Sequence, residues 1–153
     1  MIELLNDSEH SIRDYVFAEL NFHTSYEPAR CVRNERFKYV KYYDNDWLRL
    51  NLSNIDNSRP KDFLLEHDLR EIVKPKEALY DTLYDPLENN NIIDQDQYHA
   101  ELTKLKNYMN DVQTKTNDPL LTHHIEIIPE YKVNKSECVN PSSKDPEDYI
   151  LLK

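Results

Sequence analysis

The sequence predicts an α+β fold, in which a small four-stranded antiparallel sheet carries a long helix packed on one face and an extended tail follows at the C-terminus. Two observations lead to this prediction. Four short segments have the alternation or the aromatic content of strands, and one later segment has apolar residues at helical spacing. With 153 residues, the chain is long enough for one domain with a modest core.

The strand-like segments form a group of three near the start and a single one in the middle of the chain. The first alternates, with Tyr15 and Phe17 on one side, and Asn34 and Glu35 provide a tight turn between the second and the third. Strands joined by a tight turn pair in opposite directions, so the sheet is expected to be antiparallel. The predicted strands are residues 14–22, 29–33, 36–43 and 78–83.

The most regular pattern in the chain is a helix predicted over residues 96–115. Its apolar residues recur at spacings of four, three, four and three, which places them in one stripe. The stripe consists of Tyr98, Leu102, Leu105, Met109 and Val112. A second helix is predicted over residues 60–73, with Ser58 as its N-cap, and its apolar face is Leu65, Leu69 and Ile72.

The chain is acidic and contains no glycine. A formal net charge of −10 argues against unaided nucleic-acid binding, because phosphates need a basic surface. A chain without glycine has neither a P-loop nor a dinucleotide-binding fingerprint, since both need backbone without a Cβ. Turns with positive φ are therefore expected at the Asp and Asn residues of 44–46 and 89–91.

The start of the chain, its apolar content and its cysteines indicate the cellular compartment. The sequence has neither a run of about 18 apolar residues nor a secretory signal at its start, which favours a cytoplasmic chain as it stands, without a membrane partner. Cys31 and Cys138 lie far apart and lack the spacing of a zinc site. We expect free thiols, with a disulfide as the alternative.

Three motifs occur in order along the chain. They are residues 21–40 (NFHTSYEPARCVRNERFKYV), residues 78–92 (ALYDTLYDPLENNNI) and Thr116-Asn-Asp-Pro119 after the long helix. In order and spacing they resemble the C-terminal subdomain of sulfatases, closest to the heparan N-sulfatase (sulfamidase-like) branch. The resemblance covers roughly residues 12–121 and implies the same fold, a four-stranded antiparallel sheet with a long helix against it.

The nucleophile motif of that family is absent from the sequence. As the resemblance implies, the family needs Cys-x-Pro-x-Arg or Ser-x-Pro-x-Arg, whose first residue becomes formylglycine beside a calcium ion. No proline follows Cys31 at the required place, the proline after Cys138 is one place late, and after Ser58 and Pro60 the arginine is replaced by Asp62. We expect this chain to be catalytically inert and to hold no cofactor or metal itself; calcium and formylglycine would belong to the parent's catalytic domain.

The resemblance implies a non-catalytic C-terminal subdomain or fragment of a sulfatase, whose parent hydrolyses sulfate esters or sulfamates on sugars. Its partners would be the N-terminal catalytic domain and, in the intact enzyme, a sulfated sugar. The alternative is an interaction module that complements a separately encoded catalytic domain, and a third is an unrelated acidic protein. Residues 1–11 would be a linker remnant, residues 12–121 the subdomain and residues 122–153 an extended tail.

The sharpest constellation of polar residues is His23 with Glu27 and Arg30, in a loop where side chains can converge on a ligand. In related sulfatases this loop approaches the rim of the substrate pocket, so the resemblance implies that His23 and Arg30 bind the sugar in an intact enzyme. The alternative is that Arg30, Arg33 and Arg36 pair with nearby acids and with the surface of the catalytic domain.

Two further groups have a metal site as one interpretation. His123 and His124 are adjacent, so their side chains point in different directions on any regular element, and a solvated loop pair is favoured. Asp81, Asp85 and Glu88 have the oxygens that a cation needs, but turn residues explain them equally simply, and we favour that interpretation.

Overall fold

The four-stranded sheet is present in the computed structural model, which describes residues 12–122, 124–128 and 130–150. Its strands run antiparallel in the order β1-β2-β3-β4, which confirms the predicted fold class. Strand β2 begins earlier than predicted, at Tyr26, so Pro28 lies within the strand instead of ending a loop before it. The pairing with β1 is irregular next to this proline. The strands are β1 Val16–Phe22, β2 Tyr26–Arg33, β3 Phe37–Tyr42 and β4 Glu77–Asp81.

Two α-helices accompany the sheet. Helix α1 is Arg59–Glu66, and helix α2 is His99–Thr116, preceded by a 3-10 turn over Asp96–Tyr98. Helix α2 packs on strands β2 and β3, which confirms the predicted long helix on one face of the sheet. Among the residues that the structure describes, no helix combines the length and the apolar character needed to cross a bilayer.

The core lies between helix α2 and one face of the sheet. Val32, Tyr39 and Leu79 stand opposite one another on β2, β3 and β4 and are buried, together with Leu105 and Met109 from the predicted stripe of α2. Burial of the i, i+3, i+4 positions explains the apolar stripe of the helix. On β2, β3 and β4, neighbouring residues on both faces are buried, so burial does not alternate along these strands.

The opposite side of the sheet, here called the open face, is largely apolar but includes the charged residues Arg33 and Lys38. Val16 and Leu20 at its β1 end are 49% and 37% exposed. Side chains on the two faces alternate along each strand, so this set shares one surface. The open face consists of Val16, Ala18, Leu20, Ala29, Cys31, Arg33, Lys38, Val40, Tyr42, Ala78 and Tyr80. Ala29, Val40 and Ala78 are already buried within the domain, so the exposed apolar part lies at the β1 end.

The two edges of the sheet differ. At the β4 edge, the Leu79 N–H donates to Asn91 Oδ1 (2.9 Å) and the Ile92 N–H donates to the Leu79 carbonyl (2.9 Å). Asn91 Nδ2 also donates to the Glu77 carbonyl (3.2 Å), so a segment of loop closes this edge. At the other edge, no strand in the described part of the chain pairs with the outer side of β1.

The predicted second helix is wrong beyond Glu66. Ser58 caps helix α1 as predicted, but Asp68 then takes left-handed backbone with φ 63° and ends the helical path. Only a 3-10 turn over Leu69–Glu71 follows, in which Leu69 is buried. The apolar spacing over residues 60–73 therefore comes from two short elements that both contact the body of the domain.

The expected positions of positive φ are also wrong. Left-handed backbone occurs in the described residues at Asp68, Glu88 and Asn117, and not at 44–46 or 89–91. Those two turns are instead stabilised by side chains. Asp44 Oδ1 and Asn91 Oδ1 each accept a hydrogen bond from the backbone N–H group two residues further on. Such side-chain turns need no positive φ.

The C-terminal segment folds back on the domain. The Asn134 N–H donates to the Thr24 carbonyl (2.7 Å), and the Ile150 N–H donates to the Val133 carbonyl (2.8 Å). The surface that the predicted tail needed is thus provided largely by the turn between β1 and β2. The predicted linker, residues 1–11, lies outside the described residues, as do Pro129 and residues 151–153.

Lys61 joins this tail to helix α1. Its ammonium group is 2% exposed and donates to the carbonyl oxygens of Leu52 (2.8 Å), Ile55 (2.6 Å) and Val139 (2.7 Å). Burial lowers the pKa of Lys61 from its ordinary value. Three carbonyl acceptors match the three donors of an ammonium group, so the buried charge is solvated by backbone.

Candidate functional site

His23 lies at the turn between β1 and β2 with its side chain exposed, whereas the residues that follow it are anchored. Asn54 is the main anchor. Its Oδ1 accepts from the N–H groups of Thr24 (3.0 Å) and Ser25 (3.1 Å), and its Nδ2 donates to Glu27 Oε2 (2.6 Å). One side chain therefore fixes the β2 side of the turn that presents His23.

Arg30 lies inside the protein, with 2% of its side chain exposed. Its Nε and Nη2 donate to the two carboxylate oxygens of Asp118 at 2.6 and 2.9 Å, and its Nη1 donates to Asn21 Oδ1 (2.8 Å). A ligand could reach this guanidinium only by displacing Asp118. The geometry supports the alternative that Arg30 pairs with an acid.

Asp118 is itself 4% exposed and held by several donors. Burial raises the pKa of Asp118, but hydrogen bonds from Arg30, the Leu120 N–H and Gln113 outweigh burial and hold that pKa below its ordinary value. The sequence analysis placed Asp118 in a motif but gave it no role beyond the end of a helix. Arg30, the partner of Asp118, lies 88 residues away in the sequence, and no local sequence pattern connects the two.

The other arginines and acids form surface pairs. Arg36 donates to Asp81 Oδ2 from Nε (3.0 Å) and Nη2 (2.6 Å), which lowers the pKa of Asp81. Lys38 Nζ donates to Glu88 Oε2 (2.6 Å), and Arg33 is exposed at the end of β2. These pairs support turn and pairing roles for Asp81 and Glu88.

Within the described ranges, no group of three or more His, Cys, Asp or Glu side chains is placed to hold a metal ion. His124 has no such companions there, and His123 lies outside the described residues.

A cleft of about 310 Å³ opens beside His23 at the β1 end of the open face. Its lining is Leu20, His23, Glu27, Leu50, Asn51, Asn54 and Ile55. Asn51 is 4% exposed and its Nδ2 donates to the Tyr26 carbonyl (3.0 Å), but its buried Oδ1 has no donor among the described residues. The sequence analysis missed Asn51 and Asn54, because residues 47–58 have no clean apolar period.

The fold is of a kind found within larger enzymes. No protein-family model matches the sequence, and no curated protein matches it. Among solved structures, the chain is similar to a candidate sulfatase from Bacteroides thetaiotaomicron, with a TM-score of 0.50 and 22% identity over 82% of this chain and 22% of that chain. It is also similar to a 2-O GAG sulfatase, with a TM-score of 0.50 and 20% identity over 95% of this chain and 26% of that chain.

At these identities the similarity shows the fold alone. The chain spans about a quarter of the length of either solved protein. The α+β fold is therefore one that sulfatases contain as a part of their structure, as the resemblance in the three motifs led us to expect.

Proposed function

We propose that this chain is the non-catalytic C-terminal subdomain of a sulfatase, and that its open face docks on the catalytic domain. The single observation that carries the proposal is that one sheet face is covered by helix α2 while the opposite face is also largely apolar and leaves Val16 and Leu20 exposed at its β1 end. An apolar sheet face of this kind marks an interaction surface. The sulfatase structures, which are about four times as long, supply a precedent for a covering domain.

The parent reaction in this proposal is the hydrolysis of a sulfate ester or sulfamate on a sugar, and the three motifs favour the sulfamidase-like branch. The catalytic domain would supply formylglycine and calcium, since the Cys/Ser-x-Pro-x-Arg motif is missing from this sequence. His23 would face the sugar from the rim of the pocket. Arg30 would act indirectly, because its ion pair with Asp118 holds β2 against the end of helix α2.

The catalytic domain is either continuous with this chain in the parent or encoded separately, and both versions predict the same docking surface. The test mixes this chain with a separately produced protein that bears the Cys-x-Pro-x-Arg motif and is encoded beside it. We expect a stable one-to-one complex and turnover of an aryl sulfate with calcium, whereas the chain alone gives no turnover above blank.

A matched pair of variants locates the docking surface. Leu20→Glu places a charge on the open face and should abolish the complex, whereas Leu121→Glu, at a residue that is 44% exposed near the end of helix α2, should leave the complex intact. Robust turnover by the chain alone would contradict the non-catalytic role. Equal effects of the two variants would contradict docking through the open face.

A further inference from the structure

Of the three arginines between residues 30 and 36, Arg33 alone has no acidic partner in the part of the chain that the structure describes. Arg30 is paired with Asp118, and Arg36 is paired with Asp81. Arg33 is exposed at the end of β2, and its guanidinium makes neither a hydrogen bond nor an ion pair with any described residue. The sequence analysis gave two kinds of partner for these arginines, nearby acids and the surface of a catalytic domain. Among the described residues, only the second kind is left for Arg33.

The sheet places a second cation directly beside Arg33. In the register of β2 and β3, Arg33 stands opposite Lys38, so both side chains lie on the open face. Like charges directly opposite one another in an antiparallel pair are destabilising. Lys38 has a carboxylate of its own, since its Nζ donates to Glu88 Oε2 (2.6 Å). The group of three therefore keeps one positive charge in excess, and that charge is on the exposed arginine.

Apolar side chains flank this charge. Val16 and Tyr80 stand at the two ends of the cross-strand row that contains Arg33 and Lys38, a row about 14 Å long at the usual strand spacing. Leu20, further along β1, is also exposed. A sulfated or phosphorylated polymer would bring many negative charges to a chain of net charge −10 and would leave this apolar surface in water. The surface therefore fits a protein partner that combines one carboxylate with apolar side chains.

We propose that the domain covering the open face places an Asp or Glu carboxylate against Arg33, next to apolar side chains that cover Val16 and Leu20. The inference rests on the proposed function, which supplies the covering domain, and adds the chemistry of the contact. A guanidinium can donate to both oxygens of one carboxylate in a single plane. The carboxylate would also offset the repulsion between Arg33 and Lys38. Because Arg33 lies opposite the start of β1 and Leu20 lies near its end, the contact fixes the direction in which the partner lies along the strand.

The experiment measures the dissociation constant between the full chain and the separately produced Cys-x-Pro-x-Arg protein of the mixing experiment. Arg33→Glu should weaken the complex at least about tenfold, because it replaces an attraction with a repulsion between like charges. Arg33→Gln should weaken it about fivefold and serves if the reversed variant does not fold. Lys115→Glu is the matched control, since this lysine is exposed on helix α2, on the other side of the sheet, and the change in net charge is the same. It should bind like the wild type.

Two further arms identify the anion as a protein carboxylate. In the Arg33→Lys variant, a water-soluble carbodiimide should join the introduced amine to an Asp or Glu of the partner through an amide bond, and mass spectrometry locates that residue. Sodium sulfate should dissociate the wild-type complex no more than sodium chloride at the same ionic strength.

The possible failures distinguish this inference from the proposed function. A wild-type affinity in both Arg33→Glu and Arg33→Gln, in a complex that Leu20→Glu still abolishes, would overturn the inference and leave docking through the open face standing. Stronger competition by sulfate than by chloride, or no carbodiimide product at position 33, would have the same meaning. A wild-type chain that forms no complex would overturn the proposed function and this inference together.

Discussion

Removal of the Asp118 carboxylate should destabilise the domain more than any surface change. In the Asp118→Ala variant, the Arg30 guanidinium stays buried and loses a bidentate partner at 2.6 and 2.9 Å. Breaking a buried ion pair in this way costs about 3–5 kcal/mol of the free energy of unfolding. The same carboxylate also accepts from the Leu120 N–H (3.0 Å), a capping bond whose loss costs about 1 kcal/mol more.

Chemical unfolding in urea measures this difference, and thermal unfolding should show a fall in Tm on the order of 10 °C for a domain of this size. Asp111→Ala is the control, because Asp111 is an exposed acid on helix α2, close in sequence to Asp118. We expect it to change the free energy of unfolding by less than about 0.5 kcal/mol. A loss below about 1 kcal/mol in Asp118→Ala would refute the structural role assigned to the pair.

The pH dependence of the free energy of unfolding is an independent test of the role of Asp118. The pKa of Asp118 is lower in the folded state than in the unfolded state, so its contribution to stability is present above the unfolded pKa, about 3.9. That contribution is lost as the pH falls through the folded pKa. The difference in unfolding free energy between wild type and Asp118→Ala should therefore be constant near neutrality and shrink below about pH 4. A difference that grows on acidification would contradict this assignment.

Three further variants test the rest of the fold. Lys61→Met should lower the free energy of unfolding by about 2–3 kcal/mol and expose residues 130–150 to limited proteolysis, whereas Lys144→Met, at an exposed site, should do neither. Leu105→Ala, at the centre of the core, should cost about 2–5 kcal/mol in urea unfolding, and a cost below 1 kcal/mol would mean that helix α2 is not packed as described. Asp68→Gly should raise the melting temperature, since left-handed backbone just after a helix favours glycine by about 0.5–1 kcal/mol, and an unchanged or lower value would argue against φ 63° there.

The sequence was sufficient to predict those parts of the fold whose signals are local and periodic. The stripe through Leu102, Leu105 and Met109 faces the sheet because helical spacing places these residues on one side of α2. The strands were predicted from alternation and aromatic content, and one set of alternate side chains does pack against helix α2. The helix over residues 60–73 was predicted too long because apolar spacing does not record that the backbone turns at Asp68. Its predicted apolar face was only partly right, since Leu69 is buried but Ile72 is 49% exposed.

The candidate site could be predicted only in part. His23 was found because a motif singled it out, and its exposed position in a turn agrees with its prediction as a loop residue. The same motif singled out Arg30. Its partner Asp118, however, lies beyond the end of α2, and the two side chains come together only in the folded chain. Asn51 and Asn54 gave no signal, since an amide that hydrogen-bonds backbone has no preferred spacing in sequence.

The unequal edges of the sheet limit how copies of this domain can associate. Exposed strand edges invite the addition of further strands, and here Asn91 and Ile92 already occupy one side. Association through backbone pairing would use β1 from each copy and would then have no second free side from which to continue. Growth by this route would stop at a pair of molecules instead of propagating into a fibre, even at high protein concentration.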